Sequence, residues 1–283
     1  MNTQAYRDKT VYITGGGNGI GRALALAFAR RGAALALVDI SREGLAGTQA
    51  DAAAAGAARV TTHVVDVARR EQVETAAQEV LAAHGEVHYL FANAGVGFTG
   101  VSMDAVRPEE LEWTFGVNVF GVFHTIQSLL PSMRAHGKPA HILCTASIAA
   151  LNTPAGFDMG VYCANKVALP ALMQGFRDSL TGAPIHVSTI YPGLTSTDID
   201  QRSRDLRPAG DGAPAKLPGF LNPLNGEDAG AVAERIIAGM EAGLPHIFTH
   251  VAMAQPQASR YAAEISDAIT ACERLFAQDP VHS

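Results

Sequence analysis

Short runs of apolar, β-branched residues recur along this chain, and between them apolar positions return every three or four residues. The first pattern is that of a buried strand and the second that of an amphipathic helix. Strands are predicted near residues 10–14, 34–39, 59–65, 87–92, 139–145, 184–191 and 246–249, with helices between them. Such alternation predicts an α/β fold, a doubly wound parallel sheet of about seven strands with helices on both faces. Residues 51–58 are rich in alanine, the best helix former, and read as a plain surface helix. Pro170 falls inside a helical stretch and lacks the N–H that would bond the Lys166 carbonyl, which predicts a mild kink.

The first strand runs directly into a glycine cluster, Thr14-Gly15-Gly-Gly-Asn18-Gly19-Ile20-Gly21, after which Ile20, Leu24, Ala27 and Phe28 recur at helical spacing. Strand, glycine turn and helix in succession form the context of a dinucleotide-binding loop. There the glycines admit the backbone close to a pyrophosphate, and the helix N-terminus offers N–H donors. Any tight strand-to-helix turn shares part of this pattern. The second strand ends in Asp39. An acid at that place accepts hydrogen bonds from the adenosine ribose of a dinucleotide and repels the 2′-phosphate of NADP. Capping of the following helix is the alternative use of the same residue.

Farther along stand Ser147 and then Tyr162-Cys-Ala-Asn-Lys166. Residues four apart on a helix share a face, so a phenol is placed beside an ammonium. A tyrosine of ordinary pKa, about 10, is a poor base at neutral pH. A neighbouring positive charge can lower it by roughly one to three units. Such pairs also arise by chance on surface helices; the glycine loop upstream is what makes this one a candidate acid–base device. Cys163 is adjacent to Tyr162, about 100° around the helix, and is expected to point away from the site.

Taken together, these stretches resemble the short-chain dehydrogenase/reductase family, in its single-domain branch. The likeness spans residues 10–200, with seven motifs in family order. It implies a Rossmann-like fold, one dinucleotide-binding and catalytic domain over residues 1–283, and NAD as cofactor. Gly15, Asn18, Gly19, Ile20 and Gly21 are similar to the family's cofactor loop. Asp66 and Val67 resemble the pair that meets the adenine, and Asn93-Ala94-Gly95 the turn that supports sheet and cofactor. Pro192-Gly193, Thr195 and Thr197 look like the segment that meets the nicotinamide carboxamide. Asn118, Ser147, Tyr162 and Lys166 match the catalytic set. By that likeness Tyr162 is the general base, Lys166 tunes it and holds the nicotinamide ribose, Ser147 binds the substrate oxygen, and Asn118 holds a water leading from Lys166 to solvent. The Ser147-to-Tyr162 gap is slightly longer than the family's commonest one.

Composition narrows the classes. With 283 residues and 48% hydrophobic content, the chain can bury roughly three quarters of its unfolded surface in one domain. A net charge of −6 argues against a nucleic-acid partner. No apolar run reaches the roughly 18 residues of a membrane span. The polar residues 1–10 show no signal peptide, and the three cysteines show no metal spacing or disulfide framework; a cytoplasmic protein without a bound metal is expected.

Three segments are expected to line a substrate site: residues 96–104, 148–160 and 194–226. They contribute Phe98, Leu151, Phe157, Met159, Leu194, Leu206, Leu217 and Phe220. These either receive an apolar or aromatic secondary alcohol or ketone, or simply pack the loops. Residues 195–226 read as a mobile substrate lid, with Pro208, Pro214, Pro218 and Pro223 within it. Arg202, Arg204 and Arg207 in that segment suit a carboxylate clamp or a solvated basic face. Residues 111–133 and 161–180 are apolar on more than one face, and in the family the matching helices pair about a two-fold axis, which implies a homodimer or homotetramer. An NAD-retaining epimerase or dehydratase, and a catalytically idle cofactor-binding protein, are the other classes compatible with this pattern.

Overall fold

The computed structural model describes residues 6–151, 157–209 and 225–277. Its centre is a sheet of seven parallel strands: β1 Thr10–Thr14, β2 Ala34–Asp39, β3 Arg59–Val64, β4 Tyr89–Ala92, β5 Ala140–Thr145, β6 Ile185–Tyr191 and β7 His246–Phe248. The strand order is β3-β2-β1-β4-β5-β6-β7. The chain first steps outward from β1 to β3, then returns to the far side of β1 with β4. That reversal opens a crevice beyond the carboxyl ends of β1 and β4, the place where ligands bind in open α/β sheets.

Side chains alternate across the sheet and build two apolar layers. Val11, Ile13, Leu35 and Leu37 face one side. There they meet Leu24 and Phe28 of α1 (Gly19–Ala29), Leu45 of α2 (Arg42–Ala54) and Ile236 of α8 (Ala229–Glu241). Tyr12, Ala36 and Val38 face the other side. Their partners are Val73 and Val80 of α3 (Arg70–His84), Ile126 and Leu129 of α5 (Gly121–His136), and Leu169 and Met173 of α6 (Gly160–Ser179). Burial on both faces is why these strands read as continuous apolar runs. Pro170 sits inside α6 without ending it; the helix continues to Ser179.

The remaining helices are α4 (Pro108–Phe115), α7 (Ile199–Leu206) and α9 (Val251–Phe276). A π-helical turn, Gly116–Phe120, joins α4 to α5. Of the segment expected to be a lid, residues 210–224 lie outside the described residues, and with them Pro214, Leu217, Pro218, Phe220 and Pro223. Its first part is seated on the body of the protein. Ser203 accepts a hydrogen bond from Gly97 N at 2.7 Å. Arg207 donates to Glu110 Oε1 at 2.7 Å and lies over the Phe98 ring, 4.9 Å from its centroid. Arg107 holds the Pro208 and Ala209 carbonyls, each at 2.8 Å. Glu110 is 1% exposed. Burial alone would raise its carboxyl, but the hydrogen bonds from Arg107 and Arg207 outweigh that and hold it below the usual range.

Phe28 is the hub of the first layer. Its ring centroid lies 5.1 Å from that of Tyr6, 5.6 Å from Phe91 and 6.0 Å from Tyr89. Phe28→Ala is expected to cost about 3–5 kcal/mol in denaturant unfolding. A loss below about 1 kcal/mol would show that the layer collapses into the space.

Candidate active site

The glycine turn is shaped by contact. Gly15 adopts φ +67°, a left-handed conformation that favours glycine. A Cβ on Gly21 would lie 2.0 Å from the Gly15 carbonyl oxygen, so only glycine lets α1 start this close to β1. Asn18, the residue before α1, makes no side-chain cap. The N–H groups of the first turn are left for another acceptor. Asp39 accepts from Gly17 N at 2.9 Å and from Ser41 N at 2.8 Å, and so ties the turn to the end of β2. The cap of α2 falls instead to Ser41, whose hydroxyl accepts from Gly44 N.

A polar chain links the strand ends. The Thr14 hydroxyl accepts from Asn93 N at 2.9 Å and Ala94 N at 3.0 Å. Asn93 Nδ2 donates to Thr14 O at 3.0 Å, and Asn93 Oδ1 accepts from the Thr145 hydroxyl at 3.0 Å. The Thr145 carbonyl in turn accepts from Lys166 Nζ at 2.9 Å. Lys166 is buried, with its ammonium 5.6 Å from the centroid of the Tyr162 ring. Tyr162 is half-buried, and its phenol is paired with the Ser147 hydroxyl. Ser147 Oγ also accepts from Ala149 N at 3.1 Å.

Electrostatics depart from the sequence expectation. Burial pushes the Tyr162 phenol up, and the Ser147 hydrogen bond offsets this only in part. Burial pushes Lys166 down to about 8. Its ammonium is committed to Thr145, so within the chain itself Ser147, not Lys166, draws the phenol downward.

The strand ends surround a cavity of about 760 Å³. Gly15, Asn18, Gly19, Ile20, Asp39, Asp66, Val67, Asn93, Ala94 and Gly95 line its first half. Ser147, Tyr162, Lys166, Pro192, Gly193, Thr195 and Thr197 line the second. Two expected site residues stand behind the wall. Gly21 is packed under the turn against Gly15, and a Cβ there would also meet Asn93 Nδ2 at 2.7 Å. Asn118 is 1% exposed, within the π-helical turn. Its amide accepts from Val96 N at 2.8 Å and donates to Val96 O at 2.9 Å, so its side chain braces the loop after β4. Gly95 is the point of convergence: a Cβ there would lie 3.1 Å from Asn118 Oδ1 and 3.6 Å from Lys166 Nζ.

Of the expected substrate contacts, Phe157, Met159, Leu194 and Leu206 line the cavity. Phe98 is buried beneath Arg207, and Leu151 packs on the core. Arg204 pairs with Asp200 and Arg207 with Glu110; Arg202 is the member of the trio on the cavity wall. Cys163 is buried and, as expected from its place on the helix, is not on that wall.

The structure adds Trp113, Met253 and Gln257 to the wall, and His250 behind it. His250 Nδ1 accepts from Gly193 N at 3.0 Å, and Nε2 lies 3.1 Å from Leu194 O. The first bond makes Nδ1 an acceptor, so the neutral ring carries its proton on Nε2. A Cβ on Gly193 would lie 2.7 Å from the ring, which fixes this close seat. The sequence offered no signal for His250, because its partners are 56 and 57 positions away.

This arrangement can be set beside known proteins. The sequence pattern of the family described as short chain dehydrogenase matches residues 9–207. The chain belongs to the short-chain dehydrogenase/reductase family. Over 191 residues it is 34% identical to 1-deoxy-11-beta-hydroxypentalenate dehydrogenase of Streptomyces avermitilis, covering 67% of this chain and 70% of that one. It is 33% identical over 207 residues to the C alpha-dehydrogenase of a Sphingobium species, covering 72% and 66%. The crystal structure of a short-chain dehydrogenase/reductase from Burkholderia phymatum in complex with NAD superposes with a TM-score of 0.80 at 31% identity, over 91% of this chain and 93% of that one. This family member is thus an oxidoreductase.

The Lys166 burial has a measurable sign. Its pKa stands near 8 in the fold against an ordinary 10.5. Below about 8 the folded protein carries the full cost of a buried ammonium. Between about 8 and 10.5 the unfolded chain holds a proton that the fold has released, so stability rises with pH. Lys166→Met cannot titrate and lacks this rise. Denaturant unfolding from pH 7 to 10 is expected to show wild type gaining on the variant; parallel curves would contradict it.

Proposed function

We propose that the protein transfers hydride between NAD(H) and a secondary alcohol or ketone of apolar or aromatic character. The observation that carries this is the joining of Ser147, Tyr162 and Lys166 to the glycine turn along one cavity wall. The residues present fit the cofactor. The uncapped start of α1 suits a pyrophosphate. Asp39 lines the cavity with its carboxylate already oriented by two N–H donors, which suits ribose hydroxyls. When bound, NAD would supply the hydride acceptor at its nicotinamide ring, against the Pro192–Thr197 side.

Tyr162 takes the hydroxyl proton in the oxidative direction and returns it in the reductive one. Ser147 holds the substrate oxygen and steadies the charge that develops on it. Lys166, released from Thr145 or bridging from it, holds the nicotinamide ribose and supplies positive charge beside the phenolate. The side chain of Asn118 is engaged with Val96, so a water held there for proton exchange would rest on its main chain. Phe157, Met159, Leu194 and Leu206 give the substrate end its apolar character. Exposed Leu111, Phe120, Phe123 and Val167, on α4, α5 and α6 and the turn between them, support a symmetric homo-oligomer.

Screening secondary alcohols with NAD, read by NADH absorbance, tests the activity. Tyr162→Phe is expected to lower kcat by about 10²–10⁴-fold with NADH binding nearly unchanged. Retention of more than about a tenth of wild-type kcat would remove Tyr162 as the base.

Cofactor choice rests on Asp39, which would face the 2′-phosphate of NADP as a like charge. NAD is expected to be favoured by at least about tenfold in kcat/KM, about 1.4 kcal/mol. Equal efficiency with NADP would mean that Arg42 or another cation neutralises that phosphate.

A further inference from the structure

The C-terminal helix α9 runs for 26 residues, Val251–Phe276, about 39 Å at 1.5 Å per residue. Its root is seated: Ala254 is buried, and Met253 and Gln257 line the cavity. From Ser259 onward every described residue except Thr270 is exposed. Yet that part is not polar. Tyr261 is 50% exposed, Ile265 43%, Ile269 55%, Leu275 65% and Phe276 61%. A helix in a protein draws most of its stability from packing an apolar face, and the stripe along this one gains nothing until covered.

The spacing of the stripe indicates what covers it. Ala258, Tyr261, Ile265, Ala268, Cys272 and Leu275 alternate three and four apart, the seam that takes another helix, with Ile269 and Phe276 along its flank. The sizes along the seam match themselves when the helix is turned end for end about an axis between Ser266 and Asp267. Ile265 then faces Ala268, Tyr261 faces Cys272, and Leu275 faces Ala258, large against small at every level. A parallel pair would instead stack Tyr261 on Tyr261 and Ala268 on Ala268, crowding one layer and leaving the next hollow. The polar face carries Arg260, Glu264, Asp267, Glu273 and Arg274, without the row of cations by which a surface helix grips an anionic membrane.

We propose that α9 pairs antiparallel with α9 of a second copy of this chain, forming an interface separate from the α4–α6 face. It stands independently of the activity proposed above.

The test uses the full-length protein. Ile265→Asp, at an exposed position outside the cavity wall, is expected to halve the sedimentation mass. Equal masses for variant and wild type would overturn the pairing. Cys144 and Cys163 are buried and Cys272 is exposed, so a short thiol cross-linker reaches Cys272 alone in the wild type. Tyr261→Cys is expected to give a covalent dimer through Cys272 of the second copy, and wild type none. Cross-linking of the wild type would show a parallel pair and overturn the antiparallel one. Co-sedimentation with phosphatidylcholine/phosphatidylserine vesicles, lost in Ile265→Asp with no change in mass, would assign the stripe to a membrane and overturn the proposal.

Discussion

One hydroxyl carries the junction on which the site depends. Thr14 ends β1 where the strand order reverses, and its Oγ1 satisfies two successive N–H groups of the β4 loop. Two parallel strands that diverge at their ends leave main-chain donors that water cannot conveniently reach. With those donors met, the loop turns sharply and Asn93 is aimed both back at β1 and across to β5. These bonds pin the edges of the crevice at β1, β4 and β5.

The same chain of contacts explains how an ammonium comes to be buried at a strand end. Lys166 reaches the crevice from α6 and finds the Thr145 carbonyl, itself placed by the strand that Asn93 touches. A single carbonyl is a thin compensation for a lost hydration shell. A cation held this way is ready to exchange its partner for a better one. The phenol beside it is similarly under-compensated, with Ser147 alone opposing burial. The thinly compensated groups stand at the centre of the cavity, while Asp39 and Asn93 on its wall and Asn118 behind it are well bonded.

What the sequence revealed depended on how local the cause was. The inner strands were legible because burial on both faces writes itself as apolar runs, and the edge strand β3, which has no fully buried residue, through its β-branched Val and Thr; the structure moves the ends of the seven by no more than two residues. The glycine turn and the Tyr162–Lys166 pair were legible because strand, turn and helix geometry fixes their spacing. Asn118 lies in a π-helical turn, and its side chain is bonded to the Val96 main chain rather than turned to the cavity wall, which no sequence spacing shows. Phe98 looked like a substrate contact, but Arg207 covers it. That pairing joins residues more than a hundred positions apart, as the Arg207–Glu110 pair nearly does, and no periodicity announces it. His250 and the wall residues of α9 were invisible for the same reason.

His250 has a mechanical side. It is the residue from which α9 springs, and its ring grips Gly193 N and Leu194 O. The helix is thus a rod of about 39 Å mounted on the Pro192–Thr195 turn. By simple geometry, one degree of rotation at the mount displaces the tip by about 0.7 Å. Read in reverse, a tip confined to an ångström holds the mount to within about a degree and a half. The far end of this helix is therefore a place where small restraint is geared into stiffness at the cavity wall.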